Sequence, residues 1–203
     1  MSIVATTMSI SLDGFVAGPN ISPAHPLGEG GERLHDWLFN RRAARGGTVA
    51  THQLAHEVNA TVVRELRETT GAVIMGRRIF DTAVDLWGDV PYPVPCFVLT
   101  HRLREPLEME SGTFTFVNSG IEAALEQARA VASDRKILLM TPDVTRQFLA
   151  ARLVDEIQVN LVPVLLGKGV CFFEQIGVER IELEAMRVLA APDVTHITYR
   201  VLR

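Results

Sequence analysis

Three short stretches of this chain place glycine, hydroxyl and basic groups directly after an apolar run. Ser11-Leu12-Asp13-Gly14-Phe15-Val16-Ala17-Gly18 closes the first run and Gly71-Ala72-Val73-Ile74-Met75-Gly76-Arg77-Arg78 the second. Val98-Leu99-Thr100-His101-Arg102 closes the third. Gly76 stands where a strand gives way to a helix. Backbone N–H groups and the helix dipole at such a junction favour a phosphate, and Arg77 or Arg78 adds a charge-assisted contact. The plainer alternative is a loop glycine followed by two solvated arginines. In an open α/β sheet, ligands sit off the carboxyl ends of the strands, so three such ends read together as one nucleotide site.

Thr100, His101 and Arg102 offer a hydroxyl, an imidazole and a guanidinium within three residues, a set suited to a terminal phosphate such as the 2′-phosphate of NADP. Polar residues after a strand are also simply common. Asp13-Gly14 reads first as a turn, with glycine at positive φ. Asp36, beside Trp37 and Phe39, is a candidate to bind an N–H-rich heterocycle, or else an exposed first-turn acid.

Three other signals carry less. His52 and His56 have a helical metal-ligand spacing, but no carboxylate or cysteine completes a motif. Gly28-Glu29-Gly30-Gly31-Glu32-Arg33 lacks the last glycine of a dinucleotide fingerprint and follows no strand. Gly167-Lys168-Gly169 lacks the earlier glycine and the Ser/Thr of a P-loop.

The elements that must position these residues follow from periodicity and breakers. Strands are expected at residues 3–10, 72–75, 96–100, 114–117, 137–140 and 156–165, and two alternating strands at 181–189 and 195–202. Helices are expected at 34–39, 53–68, 77–84, 121–132 and 143–151, the last with Thr141 as N-cap and Pro142 in its first position. Residues 18–31 form a glycine- and proline-rich loop. Strands alternating with helices give a mixed, mostly parallel sheet with helices on both faces and an antiparallel carboxyl-terminal edge.

With 203 residues, 47% of them apolar, the chain is expected to fold as a single domain over residues 1–203. Its 20 basic and 24 acidic residues are interspersed for a formal charge of −4, which speaks against nucleic acid as partner. Cys96 and Cys171 have no paired spacing and read as free thiols in a reducing compartment. No apolar run approaches the roughly 20 residues of a membrane span. A soluble, cytoplasmic protein acting on a small molecule is expected.

Taken in order, the motifs resemble the dihydrofolate-reductase-like superfamily, and more closely the RibD C-terminal domain family. The resemblance rests on residues 8–18, Val73-Ile74-Met75-Gly76-Arg77, Phe97-Val98-Leu99-Thr100-His101-Arg102, Leu153-Val154-Asp155-Glu156 and Val162-Pro163-Val164-Leu165-Leu166-Gly167. It implies a dihydrofolate reductase-like α/β fold, NADPH as cofactor, reduction of a riboflavin-pathway-like heterocycle, and a homodimer. It implies that Val16 and Ala17 lie in a mobile loop near the nicotinamide. Gly76, Arg77 and Arg78 would hold the phosphates, and Leu99, Thr100, His101 and Arg102 the adenosine end. Asp36 would be the candidate substrate contact. The zinc deaminase signature found beside this domain in bifunctional proteins is not matched, since Pro95-Cys96-Phe97-Val98-Leu99 lacks its second cysteine.

The chain departs from the family pattern after the fourth strand. There the family carries Gly-Gly against the pyrophosphate, and here Met140 and Thr141 stand in those positions. Thr141, Asp143 and Val144 would border the phosphates. Thr141 brings a hydroxyl and the helix its N–H groups, whereas Asp143 brings a negative charge. The alternative to a reductase is therefore a repurposed, non-catalytic family member that binds another ligand.

Overall fold

The structure, a computed structural model, describes residues 2–39, 49–174, 176–177 and 180–202, with residues 49–56 as helix backbone only. The first half contains β1 (Val4–Ser11), β2 (Phe15–Ala17), a 3-10 helix (Gly31–His35), α1 (Val49–Thr69), β3 (Thr70–Gly76), α2 (Arg77–Trp87), β4 (Cys96–Leu99) and β5 (Leu107–Glu108). The second contains β6 (Thr113–Val117), α3 (Ile121–Ala132), β7 (Lys136–Leu139), α4 (Pro142–Ala150), β8 (Glu156–Val162), β9 (Val170–Cys171), β10 (Leu183–Ala191) and β11 (Val194–Val201).

One nine-stranded sheet has the order β10-β11-β8-β1-β7-β3-β4-β6-β5. The pairs from β8 through β6 are parallel, while β11 joins β8 and β10 joins β11 antiparallel. This is the mixed, mostly parallel sheet with an antiparallel carboxyl-terminal edge that the alternation implies. Strand β3 lies at its centre and shows why helices must cover both faces. Ala72 and Ile74 join a core with Phe148 of α4 and Leu125 and Ala128 of α3. Val73 and Met75 point the other way, into a core with Phe80 of α2, Phe114 and Phe116. A strand apolar on both faces needs a sheet covered on both sides, as parallel α/β sheets are.

Several local expectations give way to tertiary contacts. An α-helix at 34–39 is replaced by the 3-10 helix, which starts earlier behind Gly30 at φ 76° and hands over to a turn at Asp36. The indole of Trp37 is fixed across that turn by donating to Ser9 Oγ at 3.0 Å. Strand β8 stops at Val162 rather than 165, because Pro163 has no N–H for the ladder and Val164 O accepts instead from Leu12 N at 2.9 Å. Helix α2 runs on to Trp87, where Gly88 at φ 66° closes it. Strands β2, β5 and β9 lie outside these expectations, being two or three residues long; β2 and β9 pair only with each other from distant parts of the chain, and β5 pairs with the adjacent β6. The His52 and His56 side chains lie outside the described residues. Among the described residues no cluster of metal-ligating side chains occurs, and no helix is long and apolar enough to cross a membrane.

Candidate functional site

Sheet register brings the expected strand ends together. Gly76 at the end of β3 pairs with Leu99 at the end of β4. On the other side of β3, Met140 N donates to Ile74 O at 3.0 Å as the chain leaves β7. Helices α2 and α4 start directly from these ends, so two sets of free N–H groups lie side by side at the carboxyl edge of the sheet.

Thr141 occupies the N-cap position in extended geometry, with Pro142 first in the helix, but its hydroxyl caps nothing. The Thr141 carbonyl accepts from Thr145 N at 2.9 Å, while Thr141 Oγ1 is buried with no hydrogen-bond partner among the described residues. That hydroxyl is turned to Gly76: a Cβ built there would lie 3.3 Å from Thr141 Oγ1 and 3.7 Å from Val144 Cγ2. Asp143 is exposed and ion-paired with Arg146, which also donates to Cys171 O at 3.1 Å and approaches Glu174 at 3.5 Å. The Asp143 carboxylate is thus held by a guanidinium one helical turn on, which it shares with Glu174.

The basic residues divide by role. Arg77 donates from Nε to Asp81 at 2.6 Å, and its guanidinium lies 5.7 Å from the Phe116 ring centre. Arg78 is exposed. The Thr100 hydroxyl accepts from Arg102 N at 3.1 Å and donates to Arg102 O at 3.2 Å, so it closes its own turn. His101 and Arg102 are exposed. Arg104, outside these motifs and exposed, has its guanidinium 4.9 Å from the same Phe116 ring centre.

Val16 and Ala17 are buried in β2, which pairs with β9. The mobile loop implied for them is here a strand whose register is locked by a close approach, since a Cβ on Gly169 would lie 2.0 Å from Ala17 O. The preceding turn has Gly14 at φ 91°, as its Asp-Gly sequence implies. Asp13 accepts from Leu166 N and Gly167 N at 3.1 and 2.7 Å. Its hydrogen bond with Ser11, then these amides, hold its carboxyl below the usual carboxylate range.

Asp36 caps the 3-10 helix and meets Arg33 Nη1 at 3.5 Å. Beside it, Trp37 packs edge-on against His196, with ring centres 4.9 Å apart. His196 Nδ1 lies 2.8 Å from Asn160 Oδ1 and its Nε2 3.0 Å from Asn59 Oδ1. Burial pushes the His196 pKa down to about 4, so the ring is neutral. A neutral ring donates once, so one amide must present its NH2. Turning Asn160 and Gln158 together does this at no loss, because Gln158 then accepts and the Thr7 hydroxyl donates. Asn59 stays fixed by donating towards Asp193 and Trp37 O. No sequence pattern signals this network. A cleft of about 400 Å³ lies between α1 and β10, floored by Lys136, Glu156 and Gln158, at the amino-terminal end of the strands and away from the glycine junctions.

Residues 2–197 match the family described as the RibD C-terminal domain. A protein provisionally assigned to riboflavin biosynthesis from Shewanella sp. PV-4 is 21% identical, with a TM-score of 0.69 over 99% of both chains. The diaminohydroxyphosphoribosylaminopyrimidine deaminase/5-amino-6-(5-phosphoribosylamino)uracil reductase of Thermotoga maritima is 15% identical, with a TM-score of 0.58 over 99% of this chain and 57% of its own. Enterococcus faecalis dihydrofolate reductase, complexed with NADP(H), is 12% identical, with a TM-score of 0.53 over 99% of this chain and 97% of its own. No curated protein matches the chain.

Proposed function

Because the chain belongs to the RibD C-terminal domain family, we propose that it is an NADPH-dependent reductase delivering hydride to a small heterocyclic or carbonyl substrate, such as a ribosylated aminouracil. It works as a single cytoplasmic domain in a homodimer. The observation that carries this is the convergence of the Gly76, Leu99 and Met140 strand ends beneath the starts of α2 and α4, with Arg77 and Arg104 beside them.

The donor set suits a dinucleotide: helix N–H groups for the pyrophosphate, guanidinium groups for a further phosphate, and a buried hydroxyl awaiting a partner. Gly76, Arg77, Arg78, Thr141, Asp143 and Val144 border the phosphates, and Leu99, Thr100, His101 and Arg102 the adenosine end. When bound, NADPH supplies the hydride; the chain binds, orients and excludes water. Val16 and Ala17 flank the nicotinamide from β2, and Asp36 contacts substrate.

The dimer is supported by the unequal sheet edges. β5 is two residues long, follows Pro106 and contains Glu108, devices that discourage edge pairing. β10 is nine residues long without Pro; its charged residues are paired within the chain, Arg187 with Glu65 and Glu184 with Arg200, and Leu183, Met186 and Val188 are exposed on it.

Titration of the protein with NADPH, followed by Trp37 and Trp87 fluorescence with NADH as control, tests the function. Saturation in the micromolar range, tighter for NADPH, supports it; no binding at millimolar cofactor overturns it. One observation favours the second reading, a repurposed binder: the Thr141 side chain occupies the space over Gly76 that a glycine pair would leave open.

A further inference from the structure

We infer that the cleft between α1 and β10 is a second small-molecule site, built for an uncharged cyclic imide with an apolar body. It stands apart from the glycine junctions. Lys136 opens β7, Glu156 opens β8 and Thr70 opens β3, so the cleft lies at the amino-terminal ends of the strands. Its volume of about 400 Å³ falls in the range that small-molecule sites occupy. Arg187 of β10 and Glu65 of α1 meet at 2.6 Å, which ties the two walls of the cleft together.

Strand β8 gives the cleft its polar floor. Ile157 and Val159 enter the core on one face of the strand, while Glu156, Gln158 and Asn160 alternate on the other. That polar face shares the cleft with Val62 and Leu66 of α1 instead of facing open solvent. Polar groups beneath a helix are costly unless something meets them. Lys136 is ion-paired with Glu156, whose side chain is 14% exposed. The pair leaves two ammonium protons and Glu156 Oε1 without a partner among the described residues. Two residues along the same face, Gln158 accepts from Asn160 in the arrangement that neutral His196 requires, so its NH2 is left to donate. Thr7 and Thr198 flank Gln158 in register on either side.

A donor, an acceptor and a second donor are thus neighbours: Lys136, Glu156 and Gln158. The edge of an imide runs carbonyl, N–H, carbonyl, which is the complementary order, and it can meet all three without breaking the ion pair. The charges that line the cleft cancel, Lys136 and Arg187 against Glu65 and Glu156, so no excess charge is left to hold a phosphate or a polyamine. Val62, Leu66, Leu138 and Leu189 supply apolar wall for the body of the ring.

A nuclear magnetic resonance titration of the isotope-labelled full chain with thymine, and with 3-methylthymine as control, tests the site in the absence of cofactor. Thymine carries the imide edge and an apolar methyl group; 3-methylthymine keeps both carbonyls and lacks the N–H. The Gln158 side-chain amide is expected to shift with thymine and to saturate at low millimolar concentration. The control should bind about tenfold more weakly. Gln158→Leu, and Lys136→Met combined with Glu156→Leu, are each expected to weaken thymine by about tenfold. Removing the ion pair as a unit leaves no lone charge behind. A Gln158 amide that stays unmoved at the solubility limit of thymine would overturn the site, and so would equal binding of the two compounds. Unchanged affinity in a variant whose melting curve matches wild type would place thymine elsewhere and overturn it too. The comparison of the two compounds needs only the wild-type chain, so it decides the matter even where a variant does not fold.

Discussion

Thr141 Oγ1 and Gly76 face each other across the ends of β7 and β3, 65 residues apart in the chain and so close that a Cβ on Gly76 would lie 3.3 Å from the hydroxyl. The hydroxyl is buried and unpaired among the described residues, an arrangement that costs about 1–3 kcal/mol. Thr141→Val keeps the branched shape and removes the orphan. Denaturant unfolding without ligand is expected to show a gain of about 1 kcal/mol. Met140→Gly with Thr141→Gly opens the space over Gly76 and is expected to tighten NADPH by about tenfold. An unchanged dissociation constant would favour the repurposed binder.

His196 couples stability to pH. Its folded pKa, about 4, lies below the unfolded value near 6.5, so the unfolded chain binds more protons between those values. The contribution of the neutral ring is complete above about pH 6.5 and is lost as pH falls towards 4, by about 3 kcal/mol in all. Unfolding free energy should therefore drop across this window, and His196→Gln should flatten the drop while lowering stability at neutral pH.

Ser9 gives the Trp37 indole its acceptor at 3.0 Å, with Trp37 only 7% exposed. Ser9→Ala leaves that N–H buried and unmet, so a loss of about 1–3 kcal/mol is expected in urea unfolding. Ser9→Thr, which keeps the oxygen, should lose less.

The β10 edge makes the dimer testable. Met186→Lys with Val188→Lys places charge on the exposed edge strand. Light scattering after gel filtration should read twice the chain mass of 22.4 kDa for wild type and the single mass for the variant. A monomeric wild type would remove the proposed assembly.

Much of this molecule is written locally. Alternation and 3.6-residue spacing place β1, β3, α3, β7, α4, β10 and β11 within a few residues, because each pattern reflects one element meeting one core. Gly76-Arg77 as a strand-to-helix junction was legible for the same reason, and so was the Asp13-Gly14 turn. The 3-10 helix in place of an α-helix at 34–39 was not, since it depends on Ser9 holding Trp37 from another strand.

By itself, the sequence determined the order of strands and helices, the apolar faces that force a covered sheet, and the glycine and basic residues at three strand ends. Only the tertiary structure decided that Thr141 fills the space over Gly76, that Arg104 shares the Phe116 ring with Arg77, that β2 is locked to β9, and that His196 sits neutral between Asn59 and Asn160. The physical reason is that side-chain period is a property of a short segment, whereas strand order and register decide which distant groups meet. Burial then sets what an unpaired hydroxyl or a neutral imidazole is worth.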